Sequence, residues 1–355
     1  MTDAEKKALE ERLAKFKASE PQQKMSIFAD KFKIKDNKEL YKKKYPTGFN
    51  GLDRLLFGGL TSGLHCIGAI SSLGKSTFVM QIADNMANND IPVIIFSLEM
   101  KAIDLTAKAI SRQTYVDTRD EDERLAKSSD MLLTEKIAKN FTDQEWNVIS
   151  KAASTIEERG KNITVVECGS TPYDVEKIGL YVQTYVQAYD VKPVVVIDYL
   201  QILDAPDKLK SATDKQVTDY NIKRLKVLAD YFDLPVVLIS SFNRDNYDTK
   251  ANLKAFKDTG NIEYSCDTLI GLQLAGMEDS TFDSDKAMAS FPRKIELTLL
   301  KQRYGPARKV VPFNFYPRYN FFEEDEGTFV DAKDTDIPFF EDAPEPEPKQ
   351  GVLKF

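Results

Sequence analysis

The sequence holds one histidine and three cysteines among 355 residues. His65 has no second histidine or Cys–His pair beside it to complete a zinc-type ligand set, so it reads as a packed strand residue. Cys66, Cys168 and Cys266 are far apart and form no Cys-x-x-Cys pair. So sparse and odd a count argues against a disulfide framework. It predicts a cytoplasmic protein whose cysteines serve as small buried apolar residues. No run approaches the roughly 18 consecutive apolar residues of a membrane span. The opening Met1-Thr2-Asp3-Ala4-Glu5-Lys6-Lys7 is followed by no apolar stretch of the kind a secretory leader needs, so no membrane association is expected.

What the chain does have is an uneven charge. The net charge is −7, and residues 323–355 carry −8 of it through eleven acids and three lysines, which leaves the remainder at +1. A near-neutral body does not exclude nucleic acid, because binding depends on where basic groups sit. Residues 1–45 are rich in lysine, with Ala8, Leu9, Leu13 and Phe16 near helical spacing, and read as a helical arm or linker. They form either a solvated extension or an arm that docks on a neighbouring subunit. Residues 46–322 alternate short β-branched runs (63–70, 92–97, 163–167, 194–198, 235–240) with amphipathic helices, the pattern of a mostly parallel α/β sheet. Runs at 268–274, 295–301 and 309–315 lack long intervening helices and are expected as antiparallel edge strands. Residues 101–160 read as a helical insertion. From 323 onward acid and proline dominate, which predicts a disordered tail.

The strongest motif is Gly68-Ala69-Ile70-Ser71-Ser72-Leu73-Gly74-Lys75-Ser76, a P-loop with alanine at its first glycine position. It follows an apolar run and precedes a helical pattern at 77–87. Small residues there let backbone N–H groups curl around phosphates at a helix N-terminus, so Gly68, Ala69, Ser71, Ser72, Leu73, Gly74, Lys75, Ser76 and Thr77 are the candidate nucleotide-binding residues. Lys75 would reach the β and γ phosphates of ATP, and the Ser76 hydroxyl would ligate Mg²⁺. Val194-Val195-Val196-Ile197-Asp198 is a buried strand ending in a carboxylate, for which a Mg²⁺ ion is the natural partner. Ile94-Ile95-Phe96-Ser97-Leu98-Glu99 is a strand expected beside the P-loop strand. Glu99 would then share the phosphate rim, where it can orient an attacking water. Its competing reading is a helix-capping acid.

These motifs, together with Pro46-Thr47-Gly48-Phe49-Asn50-Gly51-Leu52-Asp53-Arg54, Asp198-Tyr199-Leu200-Gln201, Ser241-Phe242-Asn243-Arg244, Gly260-Asn261-Ile262-Glu263 and Lys301-Gln302-Arg303-Tyr304-Gly305-Pro306, resemble the C-terminal RecA-like ATPase domain of bacterial replicative DNA helicases of the DnaB type. The resemblance runs from about residue 45 to 322. It implies a P-loop ATPase fold and a homo-oligomeric ring, usually a hexamer, that holds ATP between subunits and acts on single-stranded DNA. By carry-over, Glu99 is the catalytic carboxylate, Asp198 the Mg²⁺-linked acid and Arg244 a nucleotide-contacting residue. Lys301 and Arg303 reach a neighbour's γ-phosphate. Arg303, expected on a strand beside a Gly-Pro turn, would neutralise charge on the phosphate oxygens in the transition state. The chain departs from the family at Ser241, where glutamine is usual, at Ile70-Ser71 in place of Arg-Pro, and at Tyr264-Ser265 in place of Gln-Asp. Only residues 1–45 precede the core, too few for the family's helical collar. A RecA-like nucleotide switch that loads or regulates a replication partner without unwinding is therefore the competing reading.

Two polar loops are the candidate DNA contacts: one with Lys208, Lys210 and Lys215, the other with Lys250, Lys254 and Lys257. Lysines there would track a phosphate backbone and bind in a salt-dependent way. In the tail, Asp334-Thr335-Asp336-Ile337-Pro338-Phe339 resembles the acidic tip of single-strand-binding proteins. Gln350-Gly351-Val352-Leu353-Lys354-Phe355 loosely resembles a sliding-clamp-binding peptide. Both suggest docking of a replication protein.

Overall fold

The β-branched runs become the middle of one nine-stranded sheet. The computed structural model describes residues 25–35, 37–169, 172–243, 249–256, 260–279 and 281–325. The chain divides into two units, Met1–Lys43 and Lys44–Phe355. In the first, helix α1 (Met25–Lys31) and a 3₁₀ turn at Lys38–Leu40 are described. The helical pattern around Ala8 to Phe16 lies outside the described residues.

The second unit opens with α2 (Asn50–Leu55), β1 (Gly63–Ala69), α3 (Lys75–Asn88) and β2 (Val93–Ser97). The expected helical insertion follows as α4 (Ala102–Thr118), α5 (Ser129–Leu133), α6 (Glu135–Ala138) and α7 (Asp143–Gly160). Then come β3 (Ile163–Glu167), α8 (Val175–Tyr189), β4 (Val194–Asp198), α9 (Asp214–Phe232) and β5 (Pro235–Ser241). Last are α10 (Gly260–Ser265), β6 (Thr268–Leu274), α11 (Ser284–Ala289), β7 (Arg293–Gln302), β8 (Lys309–Tyr316) and β9 (Phe321–Glu324).

The strand order is β3-β2-β4-β5-β1-β6-β7-β8-β9. β3, β2, β4, β5, β1 and β6 run parallel, and β7, β8 and β9 complete one edge antiparallel. Two expectations are corrected here. β2 does not lie beside the P-loop strand β1; β4 and β5 stand between them. The error leaves Glu99 on the same rim, because parallel strands all end at one edge of the sheet. β6 is not antiparallel to its inner neighbour but pairs parallel with β1, His65 opposite Thr268. The helix that precedes it, α10, has only six residues, too short to show as an amphipathic period.

Side chains alternate between two cores, as a strand's period of two requires. Val93 and Ile95 of β2, with Val194 and Val196 of β4, face α3 and the first core. Ile94 and Phe96, with Val195 and Ile197, face α8 and α9 through Ile178, Val182, Ile222 and Leu225. Under the P-loop, Phe78 stacks on Phe49 at 5.1 Å, and Phe315 stacks on Phe322 at 4.1 Å. Burying one such ring contributes about 2–3 kcal/mol.

Candidate nucleotide site and family

The turn between β1 and α3 enters left-handed backbone twice. Ser72 has φ 63° and Gly74 φ 92°. At Gly74 a side chain is also excluded sterically, since a Cβ would lie 2.8 Å from the Phe315 ring. The turn therefore rests directly on the aromatic floor at the start of α3. Arg293, at the head of β7, donates to the Ser72 carbonyl at 3.0 Å and braces the turn. No motif in the sequence marked that arginine; it follows a proline at the start of a strand distant in sequence. Ahead of β1, Asp53 ties down the segment that leads into α2, accepting from the Thr47 N–H and hydroxyl, both at 2.8 Å, and from Gly48 N–H at 3.1 Å.

Asp198 ends β4 and is 1 % exposed. Its Oδ1 accepts from the Ser76 hydroxyl at 3.1 Å. Among the described residues no lysine or arginine pairs with it. Burial, and then the negative charge of Glu99, push its carboxyl up to about 6, against the pull of the Ser76 hydrogen bond and of Lys75 and Lys108. Ser97 pairs with Asp198 in register, so Glu99, two residues past β2, sits exposed on the same rim. Lys75 Nζ lies 6.0 Å from the centre of the Tyr199 ring. Lys75, Ser76, Glu99 and Asp198 thus converge at the carboxyl ends of the parallel strands, the edge where open α/β sheets bind ligands.

The end of β5 is locked to the same region. Ser241 pairs with Ala69. Gln201 spans the gap, donating to Ser240 Oγ at 2.9 Å and accepting from Ser241 N–H at 3.5 Å. Gln201 was visible in the Asp198-Tyr199-Leu200-Gln201 motif, but nothing local in the sequence assigned it this bridge.

Lys301 and Arg303 lie at the opposite edge. Lys301 pairs with Leu269 near the start of β6. Its ammonium donates to the carbonyls of Glu263 and Cys266, the latter at 2.7 Å. Burial first, and then the charge of Arg303, lower its pKa. Arg303 is not on a strand as expected but one residue beyond the end of β7, where its guanidinium meets Asp267 at 2.9 Å. Asp267 also accepts from Lys226 at 2.7 Å and from Leu64 N–H at 2.9 Å. Leu64 and Ala69 are five residues apart on β1, about 17 Å along a strand. The two groups of residues are therefore brought to opposite ends of one sheet, not together.

The candidate DNA loops leave the P-loop edge after β4 and β5. Lys208 pairs with Glu176 at 3.2 Å, Lys210 with Asp207 at 2.8 Å, and Lys250 with Glu278. Lys215 is not in a loop but in the first turn of α9, which the Thr213–Gln216 capping box begins. Lys215 and Lys254 are exposed. Arg244, Lys257 and both tail motifs lie outside the described residues.

Residues 45–324 match the family described as DnaB-like helicase C terminal domain. The replicative DNA helicase DnaC of Bacillus subtilis is 27% identical over 292 residues, covering 81% of this chain and 58% of that protein. The probable replicative DNA helicase of Guillardia theta is 30% identical over 224 residues, 62% of this chain and 34% of that one. The match thus spans little more than half of the first relative and about a third of the second. Among solved structures, an isolated ATPase domain superposes with a TM-score of 0.69 at 20% identity, over 85% of this chain and 99% of that one. A DnaB-like replicative helicase studied with primase gives 0.68 at 21% identity, over 88% and 70%. At those identities the structures establish the RecA-like fold, and the sequence match over most of the chain establishes the kinship: the protein belongs to the DnaB-like helicase C-terminal domain family.

Proposed function

We propose that the chain is an ATP-dependent motor on single-stranded DNA, hydrolysing ATP between subunits of a ring. The observation that carries this is the separation of Lys301 and Arg303 from the P-loop of their own chain by the length of β1. A cation at that end can meet a nucleotide only in a second copy.

The residues present fit a nucleoside triphosphate with a divalent cation. The turn takes left-handed backbone at Ser72 and Gly74, the latter where a Cβ has no room, and a buried carboxylate faces a hydroxyl with no cation among the described residues to balance it. Ser76 Oγ and Asp198 would hold Mg²⁺, which when bound neutralises charge developing on the phosphate oxygens. Lys75 would hold the β and γ phosphates. Glu99, exposed on the rim, would orient and deprotonate the attacking water. Arg303 and Lys301 of the adjoining copy would stabilise the transferring group. The exposed Lys215 and Lys254 would face the DNA backbone, joined by the other loop lysines where their carboxylate partners give way to phosphates. The relatives' names also support DNA as the substrate, and a structure determined with primase supports a replication partner for this domain; the clamp-like tail peptide adds a candidate contact.

A rival reading, a nucleotide switch without unwinding, is favoured by Ser241, whose side chain is too short to reach from the end of β5 to a γ-phosphate. The test measures ATP turnover with and without single-stranded DNA, and strand separation on a forked duplex, for the wild type and Lys75→Ala. The motor reading requires DNA-stimulated turnover and unwinding, with turnover falling at least about 100-fold in Lys75→Ala. Nucleotide binding with slow turnover and no strand separation sinks it and leaves the switch.

A further inference from the structure

Gly68, the residue before the P-loop's first position, carries something besides a nucleotide. A Cβ built on it would lie 2.4 Å from Phe242 Cε1 and 2.6 and 2.8 Å from Phe256 Cε1 and Cζ. Two aromatic rings therefore rest on the bare backbone of the P-loop strand. Phe242 stands just past the end of β5, and its N–H donates to the Ala69 carbonyl at 3.0 Å. Phe256 lies fourteen residues on, beyond the lysine-bearing segment. The two form an isolated antiparallel bridge, with their rings 5.2 Å apart at 75°. Both are 4 % exposed. The same segment is held a second time at Gly271 of β6, where a Cβ would lie 2.7 Å from that of Ala251 and 3.4 Å from Phe242 Cζ. Ala251 N–H donates to Gln273 Oε1 at 2.7 Å, which fixes the segment beside Lys250 to β6.

We infer that Phe242 and Phe256 are positioning residues that couple the nucleotide site to the nucleic-acid segment. This rests on the motor reading above. Rings that fill the space a side chain on Gly68 would need leave little slack, because protein interiors are packed to the density of organic crystals. A shift of the P-loop strand on exchange of triphosphate for diphosphate moves Gly68, and the rings must follow or lose contact. Ring movement re-aims residues 249–256, which carry Lys250 and Lys254. Ser241 cannot carry this coupling by a polar route, since its side chain is short and its backbone N–H is taken by Gln201. By reciprocity, DNA held on that segment shifts nucleotide affinity by the same factor.

The test compares the affinity of a fluorescein-labelled oligo-dT strand for the full chain saturated with a non-hydrolysable ATP analogue and with ADP, both with magnesium. Coupling of this kind typically spans about 5- to 150-fold. In Phe256→Ala the ratio of the two affinities is expected to fall to within about twofold of unity, with the affinity for a fluorescent ADP analogue within about threefold of wild type. A residue that only fills space would lower thermal stability and leave that ratio alone. Should Phe256→Ala not fold, Phe256→Leu retains apolar volume without the ring, and its ratio is expected to drop at least about threefold. A folded variant with the wild-type ratio overturns the coupling role and leaves the motor intact. A wild type with no nucleotide dependence of DNA binding overturns both.

Discussion

At the carboxyl ends of the parallel strands Asp198 is buried, meets the Ser76 hydroxyl, and is raised to about 6 by burial and the nearby Glu99. At the amino ends Asp267 is also buried, yet Lys226, Arg303 and Leu64 N–H all converge on it. Burial raises its carboxyl, and the hydrogen bond from Lys226, the Leu64 N–H and the two positive charges outweigh that, so it sits below the usual carboxylate range. One edge therefore holds a buried carboxylate with no lysine or arginine partner among the described residues, and the other a satisfied network. For Arg303 to serve a neighbour's nucleotide it must exchange Asp267 for phosphate. Its 40% side-chain exposure permits that, whereas Asp267 keeps Lys226 and stays neutralised. The fold can thus lend out a cation without leaving a bare buried anion, which would be strongly destabilising.

The sharpest way to break this comparison is to remove the Arg303 guanidinium. Arg303→Ala is expected to lower kcat by about 10³-fold or more while each subunit still binds nucleotide. Mixing Arg303→Ala with Lys75→Ala should restore part of the turnover, because interfaces then form that pair an intact P-loop with an intact arginine. Steady-state kinetics of the separate and mixed proteins check this, and no recovery on mixing counts against action between copies. The next effect is on stability. Asp267→Ala leaves Lys226 half-paired and frees Arg303, and is expected to destabilise the fold by about 3 kcal/mol. Denaturant unfolding measures it. A loss below about 1 kcal/mol would mean that the amino-end network is a surface feature and that Arg303 is not held in reserve.

The sequence made one edge far more legible than the other. The P-loop is a contiguous strand, turn and helix, so its signal survives without knowledge of the tertiary fold. β4 was readable because strands buried on both faces are apolar throughout, and a terminal carboxylate stands out against them. The Asp267 network joins Leu64, Lys226, Asp267 and Arg303 from four separate elements, and no local period or motif reports such a meeting. The place of β2, separated from β1 by two strands, is likewise set by a crossover whose length the sequence gives but whose landing point it does not. Lys215 looked like loop because its neighbours are polar, although the Thr213–Gln216 capping box was there to be read. Arg293 braces Ser72 through a backbone carbonyl, which any sequence presents, and Gln201 bridges to β5 through the Ser240 hydroxyl and the Ser241 N–H, a meeting no local pattern reports.

The helical insertion offers the smallest and most local test, because it contains a third way of burying charge. Lys127 is 1% exposed, and its ammonium bonds Glu145 at 2.8 Å and the Arg124 carbonyl at 3.0 Å. Glu145 in turn caps α7 by accepting from Thr142 N–H at 2.7 Å. The hydrogen bond from Lys127 and then that capping bond hold the Glu145 carboxyl down to about 2. An unfolded glutamate titrates near 4.3, so the folded value is the lower one. The sign follows: the stabilisation is fully present above about pH 4.3 and is lost as pH falls toward 2. Glu145→Gln is expected to cost about 2 kcal/mol at neutral pH, the scale of a hydrogen bond to a charged group. The gap between wild type and variant in denaturant midpoint should narrow steadily between about pH 5 and pH 2. A gap that stays constant across that range would show that Glu145 acts through capping shape rather than through its charge on Lys127. The insertion would then resemble neither end of the sheet, with a buried lysine held by carbonyls alone.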